Sequence, residues 1–243
     1  LRILQKAGAD LWHLRNFGQS GGIWPGFKVP EFDAVFMRNF FWQTYSWIEI
    51  DAENRRFYNE TAELQLTHYK EKRHGHWVDT PHHRAAPVHM IFDETTRAAN
   101  CLTIKVMSWN PVVHGYDWSD DNSAEVARGW IVRADTLAEL ALAIGRDPRA
   151  VEQEVAAYNA ACRSGCDVEF GRDPATLQSL SEPPYYAIRV APAIVCTSGG
   201  ARRNIESEVL DHDGRRIPRL YEAGELGSMV SNLYQNGTYL TEC

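Results

Sequence analysis

Residues 219–243 read RLYEAGELGSMVSNLYQNGTYLTEC, and they decide how the rest of the chain is interpreted. Residues 220–223 predict a short strand, with Gly224 and Glu225 where that strand would end. A loop punctuated by Gly227 and Gly237 follows. Small residues at the carboxyl end of a strand let a ligand approach the backbone, and open α/β sheets bind ligands in crevices at such strand ends. Glu225 is therefore a candidate acceptor for the hydroxyl groups of a ligand.

The composition is that of a mildly acidic globular protein. Its 243 residues can bury one sizeable core, or form a domain plus a subdomain, and 25 Lys and Arg against 32 Asp and Glu give a net charge of −7. No basic run indicates nucleic-acid binding, no apolar stretch reaches the length of a membrane span, and the amino terminus lacks a signal-peptide pattern. The cysteines are odd in number and irregularly spaced, which favours a reduced, cytoplasmic protein: Cys101, Cys162, Cys166, Cys196 and Cys243.

Local patterns predict the elements of the first half of the chain. Apolar residues at helical spacing within residues 1–14 predict an amphipathic helix. Residues 47–50 and 56–58 are predicted to pair as a hairpin. Residues 60–72 then predict a polar helix, and residues 88–92 predict a strand.

Capping signals predict two helices in the second half. Thr136 and Glu139 form a capping box for a helix that ends at Gly145. Asp147 caps the next helix, which has a proline at its first position and ends at Gly165.

The carboxyl-terminal quarter is predicted to consist of strands. Residues 186–190 and 194–197 have strand patterns, and Asp213-Gly214 predicts a hairpin within residues 209–217.

Six of the nine histidines lie between His68 and His89: His68, His74, His76, His82, His83 and His89. Pairs among them could bind zinc, but no cysteine or carboxylate partner stands at a recognised spacing, so no metal site is predicted. A solvated loop with interleaved Lys and Arg is the plainer interpretation, and one of these histidines is a candidate substrate contact.

Five stretches, taken together and in order, resemble one flavoprotein superfamily, which contains the fumarate reductase and succinate dehydrogenase flavoprotein subunits and the 3-ketosteroid dehydrogenases. The stretches are Arg-Phe-Tyr-Asn-Glu at 56–60, Val-Ala-Ala-Tyr-Asn at 155–159, Pro-Pro-Tyr-Tyr-Ala at 183–187, Ser-Gly-Gly at 198–200 and Ala-Gly-Glu at 223–225. The likeness extends over nearly the whole chain.

The resemblance implies an α+β fold in three segments. Residues 1–20 would be a partial FAD-domain helix, residues 21–181 a substrate (cap) domain, and residues 182–243 the carboxyl-terminal strands of the FAD domain. The phosphate-binding Gly-x-Gly-x-x-Gly fingerprint is not found, since Gly18, Gly21 and Gly22 have the wrong spacing. The chain is therefore expected to be a piece of a larger flavoprotein, one that holds FAD weakly and is inactive by itself.

The same resemblance implies FAD as cofactor and suggests which residues contact it. They are Ser198, Gly199, Gly200, Gly224, Glu225, Gly237, Tyr239 and Leu240. A plain turn is the alternative interpretation of the Gly199-Gly200 pair.

Substrate chemistry is where the sequence departs from its relatives. Fumarate-reducing members bind a dicarboxylate with arginines and histidines, and the corresponding positions here are Cys196, Leu64 or a neighbour, and Tyr234. Losing bidentate guanidinium partners weakens carboxylate recognition. The ketosteroid dehydrogenases carry a tyrosine in this loop that helps hold a ring carbonyl, so Tyr234 is the candidate catalytic donor.

These implications predict an FAD-dependent oxidoreductase acting on a CH–CH bond next to the carbonyl of a bulky, apolar, small-molecule substrate. The catalytic base is open among Tyr45, Tyr69, Tyr116 and His68, and the sequence identifies no electron-transfer partner. Two alternatives stay open: a non-catalytic ligand-binding or interaction domain whose flavin site has decayed, and an enzyme of the fumarate reductase type.

Overall fold

A computed structural model describes residues 2–14, 26–32, 35–39, 46–61, 70–74, 76–79, 86–105, 116–191 and 199–227. In chain order these residues form α1 (Arg2–Lys6), β1 (Leu11–Trp12), β2 (Gly26–Lys28), β3 (Val35–Met37), β4 (Trp47–Ile50), β5 (Lys70–Arg73), β6 (His76–Asp79), β7 (Val88–Asp93), α2 (Glu94–Ala99), α3 (Ser123–Ala127), β8 (Val132–Ala134), α4 (Leu137–Ala143), α5 (Pro148–Ser164), β9 (Tyr185–Ala191), β10 (Gly200–Ala201), β11 (Glu208–Leu210) and β12 (Arg216–Tyr221). The fold is thus a mixture of helices and antiparallel strands.

The chain divides into two compact units. The first unit comprises Leu1–Gly21, Glu63–Thr80 and Ile194–Cys243, and the second comprises Gly22–Ala62 and Pro81–Ala193. The segments predicted from the sequence, residues 1–20, 21–181 and 182–243, stay a prediction. β9 lies in the second unit because it pairs along its length with β7, a partner about a hundred residues earlier that no local pattern reveals.

The second unit is built on a six-stranded antiparallel sheet of order β3-β2-β9-β7-β4, in which β8 also pairs with β9. Alternate residues of its strands feed two cores, since successive side chains point to opposite faces. One face is aromatic and includes Phe27, Phe36, Trp47 and Trp118. The other face, with Ile48 and Ile91, is covered by α4 and α5.

The two covering helices begin and end where their capping residues predict. Thr136 and Glu139 form a reciprocal capping box on α4, and the side chain of Asp147 accepts from the backbone of Ala150 at the start of α5. Gly145 and Gly165 adopt positive φ at the helix ends. Val151, Val155 and Tyr158 are the buried stripe of α5.

The first unit consists of two-stranded elements: β1 with β10, β5 with β6, and β11 with β12. The β11–β12 pair confirms the hairpin predicted around Asp213-Gly214. Its small core contains Leu4, Ala201 and Val209.

Three local predictions were wrong. Residues 56–58 form no strand, and β4 pairs with β7 instead of turning back on them. Residues 70–73, predicted as the end of a helix, form β5. The amino-terminal helix ends at Lys6, and Leu11 belongs to β1. Strand pairing explains these differences, since β4 pairs with the distant β7, β5 with the neighbouring β6 and β1 with the distant β10. The predicted strand at 194–197 lies outside the described residues, as do residues 62–69 of the predicted helix.

Candidate cofactor site

Three backbone segments of the first unit meet closely, and we call this meeting point the glycine junction: residues 11–14, 199–201 and 226–227. β1 and β10 pair antiparallel, with Leu11 opposite Ala201 and Trp12 opposite Gly200. The indole Nε1 of Trp12 donates to the carbonyl oxygen of Gly227 at 2.9 Å. The turn after β12 is thereby fastened to the first strand of the chain.

The glycines of the junction are required by the closeness of these backbones. A Cβ on Gly200 would lie 2.5 Å from the nitrogen of Gly227, and a Cβ on Gly227 would lie 2.1 Å from the carbonyl oxygen of Ala201. A Cβ on Gly199 would lie 2.7 Å from the carbonyl oxygen of His13. Gly227 also adopts φ +89°, which L side chains rarely tolerate. Protein packing by itself therefore explains these three glycines.

A buried ion pair, Arg203 with Glu222, joins the segments next to the glycine junction. Nη1 of Arg203 donates to the backbone oxygen of Glu222 at 3.0 Å and lies 3.4 Å from its carboxylate, and both side chains are buried. This pair ties the segment after β10 to the residue that precedes the turn at Gly224. No local pattern predicts this pair, because its partners are nineteen residues apart and the neighbouring Arg202 is instead exposed and pairs with Asp10.

Gly224 and Glu225 lie in the turn that follows β12, where the sequence placed them. Gly224 has φ +79°, and Glu225 is half-buried. A half-buried carboxylate in such a turn fits a cofactor whose sugar-like hydroxyls need acceptors. Five other predicted site residues lie outside the described residues: Ser198, Tyr234, Gly237, Tyr239 and Leu240. Three of the candidate bases also lie outside them: Tyr45, Tyr69 and His68.

In the second unit, the stretch at 56–60 forms the centre of a buried ion network. The guanidinium of Arg56 makes two 2.7 Å hydrogen bonds to Glu60 and a 2.9 Å bond to Asp167. Arg172 lies 3.6 Å from Glu60 and donates to the backbone oxygen of Trp47 at 2.7 Å. The sequence identified this stretch only as a family resemblance, because the partners lie more than a hundred residues away.

The electrostatics of the network follow from its pairing. Burial alone would lower the pKa of Arg56, but its hydrogen bonds to Glu60 and Asp167 outweigh burial and raise it. Burial alone would raise the pKa of Asp167, and the Arg56 guanidinium holds it below its ordinary value. A second buried pair lies beside them, formed by Arg38 and by Glu49 of β4. These groups are paired and shielded from solvent.

Tyr116 is the one candidate base in the described part of the chain, and structural contacts hold both its hydroxyl and its ring. Its hydroxyl donates to Glu125 at 2.5 Å, and its ring packs edge-on to Trp130. Burial and the Glu125 carboxylate raise the pKa of Tyr116 above its ordinary value. A phenol held in this way is a poor proton acceptor at neutral pH.

Among the residues that the structure describes, no three His, Cys, Asp or Glu side chains converge as a metal ion would need. Across those residues no helix has both the length and the apolar character that crossing a membrane needs.

Comparison with known proteins identifies the class. Residues 16–238 match the model of the FAD binding domain family, and the chain belongs to that family, whose cofactor is FAD. Its relatives include digoxin reductase from Eggerthella lenta, 41% identical over 105 residues that span 43% of this chain and 19% of that protein. NADH:acrylate oxidoreductase from Vibrio harveyi is 36% identical over 234 residues, or 93% of this chain and 19% of that protein.

Among solved structures, 3-ketosteroid Δ1-dehydrogenase from Sterolibacterium denitrificans superposes with a TM-score of 0.62 over 93% of this chain and 40% of that chain, at 23% identity. This likeness supports the fold. The chain spans about a fifth of the length of the two relatives named above.

Proposed function

We propose that this chain is part of an FAD-dependent oxidoreductase that acts on a carbon–carbon bond next to a carbonyl. The observation that carries the proposal is the match to the FAD binding domain family over residues 16–238, which includes most of both units. Acrylate, named as a substrate of the relative similar over 93% of this chain, carries a double bond conjugated to a carboxyl carbonyl. The same chemistry is proposed here.

Residues 1–20 and 182–243 are proposed to belong to the FAD domain, and residues 21–181 to the substrate (cap) domain. Glu225 would accept hydrogen bonds from cofactor hydroxyls, and the backbone near Gly199, Gly200 and Gly224 would line the cofactor. Bound FAD supplies an acceptor or donor of hydride. Ser198, Gly237, Tyr239 and Leu240 complete the proposed set of contacts.

Tyr234 is proposed as the donor that polarises the substrate carbonyl, since a fixed donor helps most where charge develops on oxygen. The substrate is proposed to be bulky and apolar. Two points support this class over a dicarboxylate: the family resemblance implies that Cys196 and Tyr234 replace a histidine and an arginine of the fumarate-reducing members, and one relative is named digoxin reductase.

The substrate class is tested in the full-length protein with Tyr234→Phe, which keeps the ring and removes one hydroxyl. Flavin absorbance is followed in single turnover with cyclic enones, saturated ring ketones and steroids, and with fumarate and succinate as controls. We expect turnover on a ring carbonyl compound to fall roughly two to three orders of magnitude, with binding much less affected. Tyr221→Phe, at an exposed ring of β12, is the matched control and should be silent.

Two results would contradict this assignment. Efficient fumarate reduction by the unaltered protein would replace the proposed substrate class with a dicarboxylate. Full activity of Tyr234→Phe on a ring ketone would keep the class and remove Tyr234 from catalysis.

The cofactor contact is tested with Glu225→Ala in the same protein. The loss of a charge-assisted hydrogen bond should weaken flavin retention about tenfold or more while leaving the fold intact. Glu206→Ala removes an exposed acid of the same unit and should retain flavin normally. Equal flavin retention in the two variants would show that Glu225 does not hold the cofactor.

A further inference from the structure

A cluster of basic groups lies at one end of the helix-covered face of the second unit, away from the buried ion network. Ile50, His89 and Arg189 stand in one row across β4, β7 and β9, since His89 is opposite both of the others in register. Directly opposed residues on antiparallel strands share a face. The Ile50 side chain belongs to the core under α4 and α5, so His89 and Arg189 point to the same side.

The loop after α4 brings a second arginine to this row. Gly145 adopts φ +70°, and the backbone N–H of Arg146 closes the helix end by donating to Ala141 at 2.7 Å. This geometry is that of a Schellman cap, which fixes the direction of the residue after the glycine. Arg146 is therefore held in place by its own backbone.

The Arg146 side chain is anchored by one corner only. Its Nη2 donates to the backbone oxygen of Pro87 at 2.5 Å and lies 3.2 Å from Nδ1 of His89. Its Nε is buried and has no hydrogen-bond partner. A buried guanidinium N–H without an acceptor is costly, and such groups are usually completed by an anion or a water molecule.

The charges around His89 are mainly positive, which also favours a bound anion. Burial, together with the charges of Arg146 and Arg189, lowers the pKa of His89 to about 4, so the imidazole is neutral at physiological pH. Since Nδ1 of His89 faces a donor, its proton is on Nε2, which is then a further donor.

Acids do not neutralise the cluster. In the described part of the chain, neither Arg146 nor Arg189 has a carboxylate at ion-pair distance. Asp51 attracts Arg146 from farther away, and Oδ1 of Asp51 already accepts from the backbones of Glu53 and Arg55. The positive charges of Arg146 and Arg189 are therefore balanced by one carboxylate, that of Asp51, which lies beyond ion-pair distance.

We propose that Arg146, His89 and Arg189 form a binding site for a small oxyanion, a phosphate or a carboxylate. The Arg146 Nε–H, the His89 Nε2–H and the Arg189 guanidinium supply the donors, and guanidinium groups suit both planar carboxylate and tetrahedral phosphate oxygens. The site belongs to the second unit and is independent of the proposed FAD chemistry. It also gives one member of the histidine-rich stretch a ligand-binding role.

The test is an NMR titration of the full chain with inorganic phosphate, and separately with acetate, at constant ionic strength set with chloride. The His89 imidazole signal is identified by its loss in His89→Gln. We expect a saturable shift of this signal and a rise of the His89 pKa from about 4 towards its ordinary value, because a bound anion stabilises imidazolium. The tighter of the two arms identifies the class of oxyanion.

Substitutions distinguish anion binding at this site from a general effect of the positive charge of the protein. Arg146→Gln and the exposed Arg189→Gln should each weaken binding, the former about tenfold or more. Arg149→Gln removes an exposed arginine three residues away on α5 and should leave binding unchanged. Arg189→Gln keeps the test decisive if Arg146→Gln fails to fold. The proposal is overturned by a shift that does not saturate with either anion, or by equal binding in Arg149→Gln and Arg189→Gln.

Discussion

The glycine junction of the first unit and the buried ion network of the second both hold segments from distant parts of the sequence together, but they do so in opposite ways. In the junction, side chains are absent, and backbones approach so closely that a Cβ on Gly227 would lie 2.1 Å from a carbonyl oxygen. In the network, long charged side chains span the gap, with Arg56 binding Glu60 and Asp167 at once.

The difference teaches which substitutions each region can accept. The junction depends on shape, so any added atom is a clash. The network depends on charge balance, since removing one partner of a buried pair leaves an uncompensated charge, whereas removing both can be nearly neutral. A glycine region can therefore present bare backbone to a ligand, and a charged region can fix a segment without any contact to ligand.

The largest expected effect is at the junction. Gly227→Ala should lower the free energy of unfolding by about 4 kcal/mol or more, because strain at positive φ adds to a backbone clash. Gly214→Ala has a similar φ of +76° but nothing within 4 Å, so it should cost only about 1–2 kcal/mol. Urea denaturation of both variants gives the comparison. Equal losses would show that the close approach at Gly227 is not a constraint.

A smaller effect is expected in the network. Arg56→Met should cost about 3 kcal/mol, because Glu60 and Asp167 lose a shared buried cation. Arg55→Met is the matched control, since its 3.7 Å pair with Glu169 is exposed, and the change should stay within about 0.5 kcal/mol. Restoration of stability in an Arg56→Met/Asp167→Leu double variant would support charge balance as the cause. If Arg55→Met and Arg56→Met were equal, the network would contribute no stability.

The smallest effect is a pH dependence that distinguishes the regions. The folded pKa of Asp167 lies below its ordinary value of 3.8, so the unfolded chain binds the proton first. The stability that Asp167 contributes is present above that value and is lost as pH falls through the folded pKa. Hydrogen exchange between about pH 5 and about pH 3 should therefore weaken protection in α5 before β11–β12.

His89 titrates in an overlapping pH range, so its effect has to be removed from this measurement. Its folded pKa of about 4 lies below the ordinary 6.5, and its contribution to stability is lost from about pH 6.5 downwards. The measurement is made in a His89→Gln background. Simultaneous loss of protection in α5 and β11–β12, unaltered by Asp167→Asn, would show that the network does not titrate separately.

Much of the second half of the chain could be predicted locally. The capping box of Thr136 and Glu139, the cap at Asp147 and the hairpin at Asp213-Gly214 are all present, because each depends on contacts within a few residues. The family, and with it FAD, was also recognised from short stretches in order along the chain.

The tertiary structure decided everything that depends on distant partners. Residues 56–58 look like a strand but carry Arg56 into a network with Asp167, and β9 joins the second unit because β7 lies beside it. The contact of Gly200 with the cofactor stays a prediction, and the structure adds a packing reason for this glycine, because a Cβ there would lie 2.5 Å from the nitrogen of Gly227. The sequence by itself thus determined the helix caps, the tight turn and the family, since these are written in neighbouring residues. Only the fold decided the sheet partners, the ion network and the reason for the glycines, because these depend on pairs that the chain brings together from far apart.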